Sequence, residues 1–257
     1  AARVVPVRIA NSVVHFWTSS VAQGIDYARE IGADVISMSM GGLPSASWAD
    51  AVNQAYEAGV VIVCAAGNSY GGLPTSLIVY PARFDRVVAA CGVMADNHPY
   101  HGLGGPMEGN VGPPSKMPTA MAAYTPNIPW LKLGCTSVVD MDGAGTSSAT
   151  PQIAAAAALW LAQHGAGYPR GWQRVEAVRA ALFRSADRLG QDGAAPDPNF
   201  GRGLLRARGA LDTVPDAASL VRTPADDADF AFLHLLTGAF GATAAEPRQQ
   251  AMFELEL

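Results

Sequence analysis

The segment with the clearest chemical potential reads Gly-Thr-Ser-Ser-Ala-Thr-Pro, from Gly145 to Pro151. An alanine-rich stretch follows and predicts a helix, and Pro151 fits only the first turn of such a helix. Ser147 is therefore expected at the helix N-terminus, where unpaired backbone N–H groups favour negative charge. A serine at this position usually caps the helix. The other chemistry open to it is nucleophilic attack on an acyl group, with those N–H groups stabilising the developing charge.

The whole motif, rather than the serine alone, favours the nucleophile. It resembles the nucleophile motif of the subtilisin-like serine proteases, Gly-Thr-Ser-x-Ala-[Ser/Thr]-Pro. The nucleophile elbow of the α/β-hydrolases does not match, because it needs a glycine where Ala149 stands. The resemblance implies that Ser147 forms an acyl-enzyme. Further blocks resemble the family in the correct order between about Arg3 and Leu211, at residues 34–42, 65–68, 80–82, 87–89 and 201–204.

A second candidate catalytic residue is Asn68, which ends the sequence Ala-Ala-Gly-Asn. A glycine followed by an asparagine after a strand usually marks a turn. The block resembles the family's oxyanion segment. That resemblance implies that the side-chain amide of Asn68 and the backbone N–H of Ser147 stabilise the negative oxygen formed during acyl transfer.

Substrate binding is assigned to two segments by the same resemblance. Residues 34–42 resemble the family's strand whose edge pairs with the substrate backbone, so an extended polypeptide is expected to add to it. Residues 65–67 are expected to wall the specificity pocket together with this strand. From the residues alone, Gly41 also fits a plain turn and Met40 a core-facing side chain. The residues predicted to bind substrate are Ser39, Met40, Gly41, Ala66 and Gly67.

The catalytic base and its carboxylate are the main departure from the family pattern. The family's chain order is Asp, His, Ser, and both earlier motifs precede the strand that residues 3–9 resemble. Neither motif is present, so we expect an N-terminally truncated domain that is inactive alone, with its Asp and His upstream. Asp140 and Asp142 are expected to turn a loop. Surface or capping roles are expected for the five histidines, His15, His98, His101, His164 and His234.

The alternation of strands and helices predicts how these residues are positioned. It indicates an α/β fold with a mainly parallel sheet, in which sites form beyond the carboxyl ends of the strands. The resemblance implies a three-layer α/β/α, subtilisin-like arrangement. Ser47 and Asp50 predict the start of a helix through a capping box. Strands are predicted at 3–9, 35–39, 60–65 and 86–91, and further helices at 19–31, from 153 onward and at 174–185.

Residues 1–211 are expected to form the partial peptidase domain, and residues 212–257 a linker with a short C-terminal extension. Within the domain, residues 96–144 are rich in Gly, Pro and Met, and they predict only short strands at 130–133 and 137–139. Prolines and aspartates between 212 and 229 are typical of a linker. Residues 229–240 are apolar on one side and predict a short helix.

A polypeptide substrate is implied by the family resemblance, and composition argues against two other kinds of partner. The net charge is -5 without a basic run, which excludes a nucleic-acid partner. No apolar stretch is long enough to cross a bilayer. A secreted or extracellular location is implied by the family resemblance only.

No metal or cofactor site is identifiable from the residues. Among the three cysteines, Cys64 and Cys91 lie in apolar runs and are expected to be small core residues, and Cys135 is expected in a loop. No Cys or His pair has the spacing of metal ligands. The family resemblance makes calcium an expected cofactor for which no site is assignable.

Two other functions are compatible with parts of the sequence. A non-catalytic pseudoprotease or peptide-binding module would keep the crevice without the chemistry, although Ser147, Asn68 and Gly41 together favour catalysis. A hydrolase on an unrelated fold is disfavoured by Ala149 and by the order of the blocks.

Overall fold

The computed structural model describes residues 2–10, 14–15, 19–102, 105–132, 134, 136–191 and 194–227. Its strands are β1 (Val14–His15), β2 (Val35–Met38), β3 (Gly41–Gly42), β4 (Val61–Ala65), β5 (Asn68–Tyr70), β6 (Val88–Val93), β7 (Met107–Gly109), β8 (Ala120–Tyr124), β9 (Ile128–Leu131) and β10 (Val139–Gly143). Its α-helices are α1 (Ser19–Glu30), α2 (Ala46–Glu57), α3 (Thr146–His164), α4 (Trp172–Ser185) and α5 (Ala207–Leu211). Short 3₁₀ helices cover Pro114–Thr119, Gly165–Gly167 and Ala217–Ser219.

A four-stranded parallel sheet in the order β2-β4-β6-β8 forms the centre of the described domain. Every residue of β4 is buried, as expected for a parallel strand covered on both faces. The smaller pairings are β1 with β3 (parallel), β5 with β7 and β9 with β10 (both antiparallel). The predicted α/β fold with a mainly parallel sheet is confirmed.

Helices cover both faces of this sheet and divide the core into two clusters. Alternate residues of β4 belong to opposite clusters, because successive side chains of a strand point to opposite faces. Ile62 and Cys64 pack with α1 and α2, whereas Val61 and Val63 pack with α3 and α4. The predicted three-layer α/β/α arrangement is therefore confirmed.

The strand predicted at residues 3–9 is wrong. The described residues 2–10 form no strand, and their side chains are largely exposed, with Val4 88% accessible. Pro6 lacks the N–H that a central strand needs. The end of the segment packs on α1 instead, where Ile9 and Val7 approach the bare backbone of Gly24.

The sequence analysis missed β8, a central element of the fold. This strand pairs with β6 over five residues, from Ala89 opposite Ala120 to Val93 opposite Tyr124. Its sequence is Ala-Met-Ala-Ala-Tyr, which contains no β-branched residue and has no strand pattern of its own. Two short strands are present nearby as the antiparallel pair β9 and β10, but both are displaced from the predicted positions 130–133 and 137–139, and β10 shares only Val139 with its prediction.

The N-cap of helix α2 lies two residues before the serine predicted to cap it. Ser45 is the N-cap, with extended backbone (φ -153°), and its hydroxyl accepts a hydrogen bond from the backbone N of Trp48 at 3.3 Å. Ser47 lies inside the first turn, 3.0 Å from the Ser45 hydroxyl. The predicted capping box at Ser47 and Asp50 is therefore wrong, although the helix itself is present.

Cys64 and Cys91 are free thiols with no exposed surface, as the apolar runs around them predict. Burial raises the pKa of each thiol to about 12. Cys135 lies outside the described residues, as does the helix predicted at 229–240. Within the described ranges, no helix has the length and apolarity required to cross a membrane.

Candidate active site

Two chain segments and a helix N-terminus meet beyond the carboxyl ends of β2 and β4. Ser39 and Met40 follow β2, and Ala66 and Gly67 follow β4. Because the two strands are parallel neighbours, both segments emerge at the same edge of the sheet. Helix α3 crosses the sheet and brings Ser147 to this edge. The structure therefore brings together the residues that the sequence analysis assigned to catalysis and substrate binding.

Ser147 lies in the first turn of α3, two residues after a position whose backbone conformation favours glycine. Gly145 is the N-cap, with a φ of 74°, a conformation that side chains disfavour. A Cβ atom at Gly145 would lie 3.0 Å from both Oδ1 and Nδ2 of Asn68. The missing side chain thus allows the Asn68 amide to pack against the backbone that leads into Ser147.

The Asn68 side chain is oriented by the residue between Gly145 and Ser147. The backbone N of Thr146 donates to Oδ1 of Asn68 at 3.0 Å, and the Thr146 hydroxyl lies 3.4 Å from the same oxygen. Since Oδ1 acts as acceptor here, Nδ2 is the end of the amide that can donate to a ligand. Both Asn68 and Ser147 are half-buried, so each side chain retains access to solvent.

Thr146 also fixes the segment that precedes Asn68. Its hydroxyl donates to the carbonyl of Gly67 at 3.0 Å, and the N–H of Gly67 donates back to that hydroxyl at 3.2 Å. Thr146 has no exposed surface. The sequence analysis gave Thr146 no role, although its place inside the motif was the available signal.

Gly67 is held in a conformation that only glycine adopts readily. Its φ is 103°, and a Cβ there would lie 2.8 Å from Nδ2 of Asn110 and 3.0 Å from Val79. The backbone of the preceding Ala66 is fully used within the protein, because its N–H donates to Ala90 and its carbonyl accepts from Val79. Ala66 and Gly67 therefore form a fixed wall. The buried Asn110, which the sequence analysis missed, supports that wall.

The other predicted substrate-binding segment is tied directly to the serine. The hydroxyl of Ser39 donates to the backbone carbonyl of Ser147 at 2.8 Å. The buried thiol of Cys64 donates to the carbonyl of Met40 at 3.2 Å, and the Met40 side chain packs against the core. These contacts fix the position of the segment relative to the N-terminus of α3.

Gly41 and Gly42, which follow Met40, have backbone partners on both sides. Gly41 and Gly42 form β3, which pairs in parallel with β1. On the other side, the N–H of Gly42 donates to the carbonyl of Tyr80 at 2.9 Å. A Cβ at Gly41 would lie 2.3 Å from the side chain of Val79, so no larger residue fits this position.

A model of the subtilase family matches residues 1–203. The chain belongs to the subtilase family. Among curated relatives, subtilisin DY of Bacillus licheniformis is 32% identical over 210 residues, covering 79% of this chain and 66% of the relative. Thermitase of Thermoactinomyces vulgaris is 31% identical over 195 residues, covering 75% and 60%. Subtilisin E of Bacillus subtilis is 29% identical over 214 residues, covering 82% and 49%. This subtilase chain thus spans between about half and two thirds of the length of these relatives.

Solved structures give the same assignment of fold. The patellamide maturation protease PatA superposes with a TM-score of 0.58 at 28% identity, over 75% of this subtilase chain and 66% of that chain. The prenylagaramide maturation protease PagA superposes with a TM-score of 0.63, over 82% and 73%, and at 24% identity this match supports the fold alone.

In the described part of this subtilase chain, no histidine is hydrogen-bonded to the Ser147 hydroxyl. His164 ends α3, where its Nε2 lies 2.8 Å from the carbonyl of Leu211. His98 is exposed beside Asp96, and His101 is exposed at a bridge to Glu108. The side chain of His15 and all of His234 lie outside the described residues.

The two acidic residues upstream of the serine occupy a strand. Asp140 and Asp142 belong to β10 rather than to a turn, so their predicted loop position is wrong. Oδ1 of Asp142 accepts a hydrogen bond from the Trp130 indole at 2.6 Å. Within the described ranges, no cluster of three or more His, Cys, Asp or Glu side chains has a geometry suited to a metal ion.

Proposed function

We propose that this chain carries the nucleophile and oxyanion site of a serine endopeptidase. The observation that supports this most strongly is the coupling of Asn68 to the Ser147 turn through Thr146 and Gly145. Because Oδ1 of Asn68 accepts a hydrogen bond from the backbone N–H of Thr146, the donor Nδ2 is left to act on a ligand beside the turn that carries Ser147.

In the proposed reaction, the Ser147 hydroxyl attacks the carbonyl carbon of a peptide bond. A base takes the hydroxyl proton as the Oγ–C bond forms, and the carbonyl oxygen becomes negative. Nδ2 of Asn68 and the backbone N–H of Ser147 donate hydrogen bonds to this oxygen. The base then returns the proton to the leaving amine as the C–N bond breaks, and water hydrolyses the acyl-enzyme by the same steps.

The base and its orienting carboxylate are proposed to come from sequence outside these 257 residues. Ser147 needs a base to react at neutral pH, and the described histidines are engaged elsewhere or exposed. The partial coverage of the relatives is compatible with this division. On this proposal the isolated chain binds but does not cleave.

The proposed substrate is a polypeptide that binds in extended form beside Ser39, Met40 and Gly41. Backbone hydrogen bonds to this edge would hold the substrate while its scissile carbonyl reaches Ser147. Both residues of β3 pair with β1 and Gly42 also pairs with Tyr80, so a substrate strand that extends to Gly41 would have to replace part of this short pairing. The name of PatA as a maturation protease supports peptides as the substrate class. A secreted location and bound calcium remain expectations based on the family.

A fluorophosphonate probe tests the proposal, because it bonds only to an activated serine hydroxyl. We expect the chain extended with its upstream coding sequence to be labelled at Ser147, and the isolated chain to remain unlabelled. Ser147→Ala should abolish labelling. Ser148→Ala is the matched control and should retain it, since the Ser148 hydroxyl donates to the carbonyl of Ala144 within the same turn.

The alternative function, peptide binding without catalysis, predicts a different result. The extended protein would remain unlabelled although it is folded and binds peptides. Labelling that persists in Ser147→Ala would instead place the nucleophile elsewhere and contradict the proposal.

A further inference from the structure

The segment predicted as a linker after α5 is attached to the body of the domain. We call residues 213–227 the strap. Near its start, the indole N–H of Trp160 donates to the carbonyl of Thr213 at 2.9 Å, and the hydroxyl of Tyr168 donates to the carbonyl of Pro215. Residues 217–221 between its two ends are mostly exposed. The strap is therefore anchored on both sides of an accessible stretch.

The second anchor centres on Asp226, which is bound through both its backbone and its side chain. The Asn53 amide donates to the carbonyl of Asp226 at 2.7 Å and accepts from its N–H at 3.0 Å, as a neighbouring strand would. The two carboxylate oxygens of Asp226 accept hydrogen bonds from the backbone N–H groups of Asp85, at 2.7 Å, and Arg86, at 3.0 Å.

Arg86 binds the strap backbone just before Asp226. Its guanidinium donates to the carbonyls of Thr223 and Pro224 at 2.9 Å each. The guanidinium also pairs with Glu57 at 2.9 Å and lies over the ring of Tyr56 at 4.3 Å. Arg86 is only 4% exposed, so these partners together compensate a buried charge.

Thr223 is recognised through its backbone N–H and its hydroxyl. The backbone N donates to the Tyr56 hydroxyl at 2.9 Å, and the Thr223 hydroxyl donates to Oε1 of Glu176 at 2.8 Å. The Tyr56 hydroxyl donates to the same carboxylate oxygen, which also pairs with Arg179 at 3.1 Å. Burial, and secondarily Glu176, raise the pKa of Tyr56 to about 12, which keeps the hydroxyl protonated as a donor.

The strap site lies on the opposite edge of the sheet from Ser147. Its residues come from the C-terminal half of α2, from the residues that precede β6, and from α4. In a parallel sheet the amino ends of the strands share one edge, and the candidate active site occupies the carboxyl edge. The strap therefore ends on the amino edge.

We propose that this surface, formed by Asn53, Tyr56, Glu57, Arg86 and Glu176, is a peptide-recognition site whose ligand is residues 222–226 of the same chain. It binds as sites for extended peptides do, by hydrogen bonds to successive backbone groups plus contacts to a few side chains. Arg222, Pro224 and Ala225 remain exposed, so this segment is docked on the surface rather than part of the core. Arg222 adds an ion pair with Glu57 at 2.6 Å. The consequence is that the described chain ends, at Asp227, on the amino edge of the sheet.

Cleavage of the exposed part of the strap tests whether the second anchor binds as a ligand. A recognition sequence for a site-specific protease is placed at residues 217–221 of the full chain, in a Ser147→Ala background. After complete cleavage, we expect the C-terminal fragment to remain with the body on size-exclusion chromatography at micromolar concentration. Separation of the fragment under native conditions would overturn the proposal.

A pair of neighbouring aspartates tests the specificity of the contact. Asp226→Ala removes two hydrogen bonds to a carboxylate and should speed release of the fragment at least about tenfold. Asp227→Ala is the matched control, with the same change in charge at an exposed position, and should leave the release rate unchanged. Equal release from both variants would contradict the assignment.

A competition experiment keeps the test independent of how well the variants fold. In this experiment the C-terminal fragment of the cleaved protein carries a fluorophore, and Asp226 is unchanged. A synthetic peptide of residues 220–227, added in excess, should displace that fragment from the body of the domain. The same peptide with alanine at the position of Asp226 should displace it at least about tenfold less effectively. No displacement by either peptide would mean that the segment is not a separable ligand.

Discussion

At the residue scale, the candidate site depends on a side chain that no chemical argument had singled out. Thr146 connects the segment of Gly67 and Asn68 to the turn that carries Ser147, through its backbone N–H and its hydroxyl. Ser147 and Asn68 could be singled out from the sequence because the motifs around them resemble those of a known family. The role of Thr146 could not be predicted, because a buried threonine that joins two loops looks like any core threonine until the loops are placed together.

Replacement of Asn68 tests the proposed oxyanion donor. In the catalytically complete protein, Asn68→Ala should lower kcat by about 10²–10³-fold, the cost of losing one such donor in a subtilisin. KM should change little, because the donor acts on charge that exists only in the transition state. Steady-state kinetics on a peptide substrate measure both constants. An unchanged kcat would exclude Asn68 from the oxyanion site.

Replacement of Thr146 tests the link between the two loops. Thr146→Val keeps the shape but leaves the N–H of Gly67 without its acceptor and the Gly67 carbonyl with only the Asn110 N–H, so it should lower the free energy of unfolding by about 1–3 kcal/mol. Thr150→Val is the matched control. Thr150 is equally buried, but its hydroxyl donates only to a helix carbonyl one turn back, so its loss should cost less than about 1 kcal/mol. Urea denaturation measures both values, and equal costs would contradict the proposed role of Thr146.

At the element scale, prediction from sequence succeeded where a segment carries its own pattern. The strands β2, β4 and β6 and the helices α1, α2 and α4 have apolar runs or amphipathic periodicity, and they were predicted with small shifts in their ends. Helix α3 begins at Thr146 rather than at 153, and Pro151 lies beyond its first turn, so the predicted position of the proline is wrong. The carbonyl of Ser147, four residues before Pro151, accepts a hydrogen bond from the Ser39 hydroxyl instead. Strand β8 was missed because its small residues become a strand only by pairing with β6. Residues 3–9 have the composition of a strand but pair with no strand in the described part of the chain. Their β-propensity alone therefore gave a wrong prediction.

The two serines at the start of α2 are expected to differ in how much they stabilise the protein. Ser45→Ala should lower the free energy of unfolding by about 1 kcal/mol, because it leaves the N–H of Trp48 without its side-chain acceptor. Ser47→Ala, inside the first turn, should change it by less than about 0.5 kcal/mol. Chemical denaturation measures the unfolding free energy of both variants. A larger loss for Ser47→Ala than for Ser45→Ala would indicate that Ser47 is the N-cap, as the sequence predicted.

At the scale of the whole molecule, helices pack on both faces of the sheet, and the thiols in the core between them are inaccessible. Cys64 and Cys91 have no exposed surface, and pKa values of about 12 leave only about one thiolate in ten thousand at pH 8. An aromatic disulfide reagent at pH 8 should therefore modify at most one of the three cysteines in the native protein and all three in denaturant. Rapid native reaction of two thiols would show that the sheet is open on one face.

The arrangement of the strap illustrates what composition cannot predict at this scale. Its aspartates and prolines are typical of a linker, and nothing local indicates a docking surface. The partners of Asp226 and Thr223, such as Asn53 and Glu176, are far away in sequence and become neighbours only after the sheet and both helix layers have formed. Prediction from sequence was therefore strongest for the active-site edge, where motifs carry the signal, and weakest for the opposite edge.

The most direct test of the central claim is the rate of peptide hydrolysis by this chain with and without its upstream coding sequence. We predict that the 257 residues alone do not cleave a peptide, that the extended protein does, and that Ser147→Ala abolishes the activity. The isolated chain contains Ser147 and Asn68, so it should gain activity only when a base and a carboxylate are supplied. Robust hydrolysis by the isolated chain, lost in Ser147→Ala, would show that the base lies within it and would contradict the account.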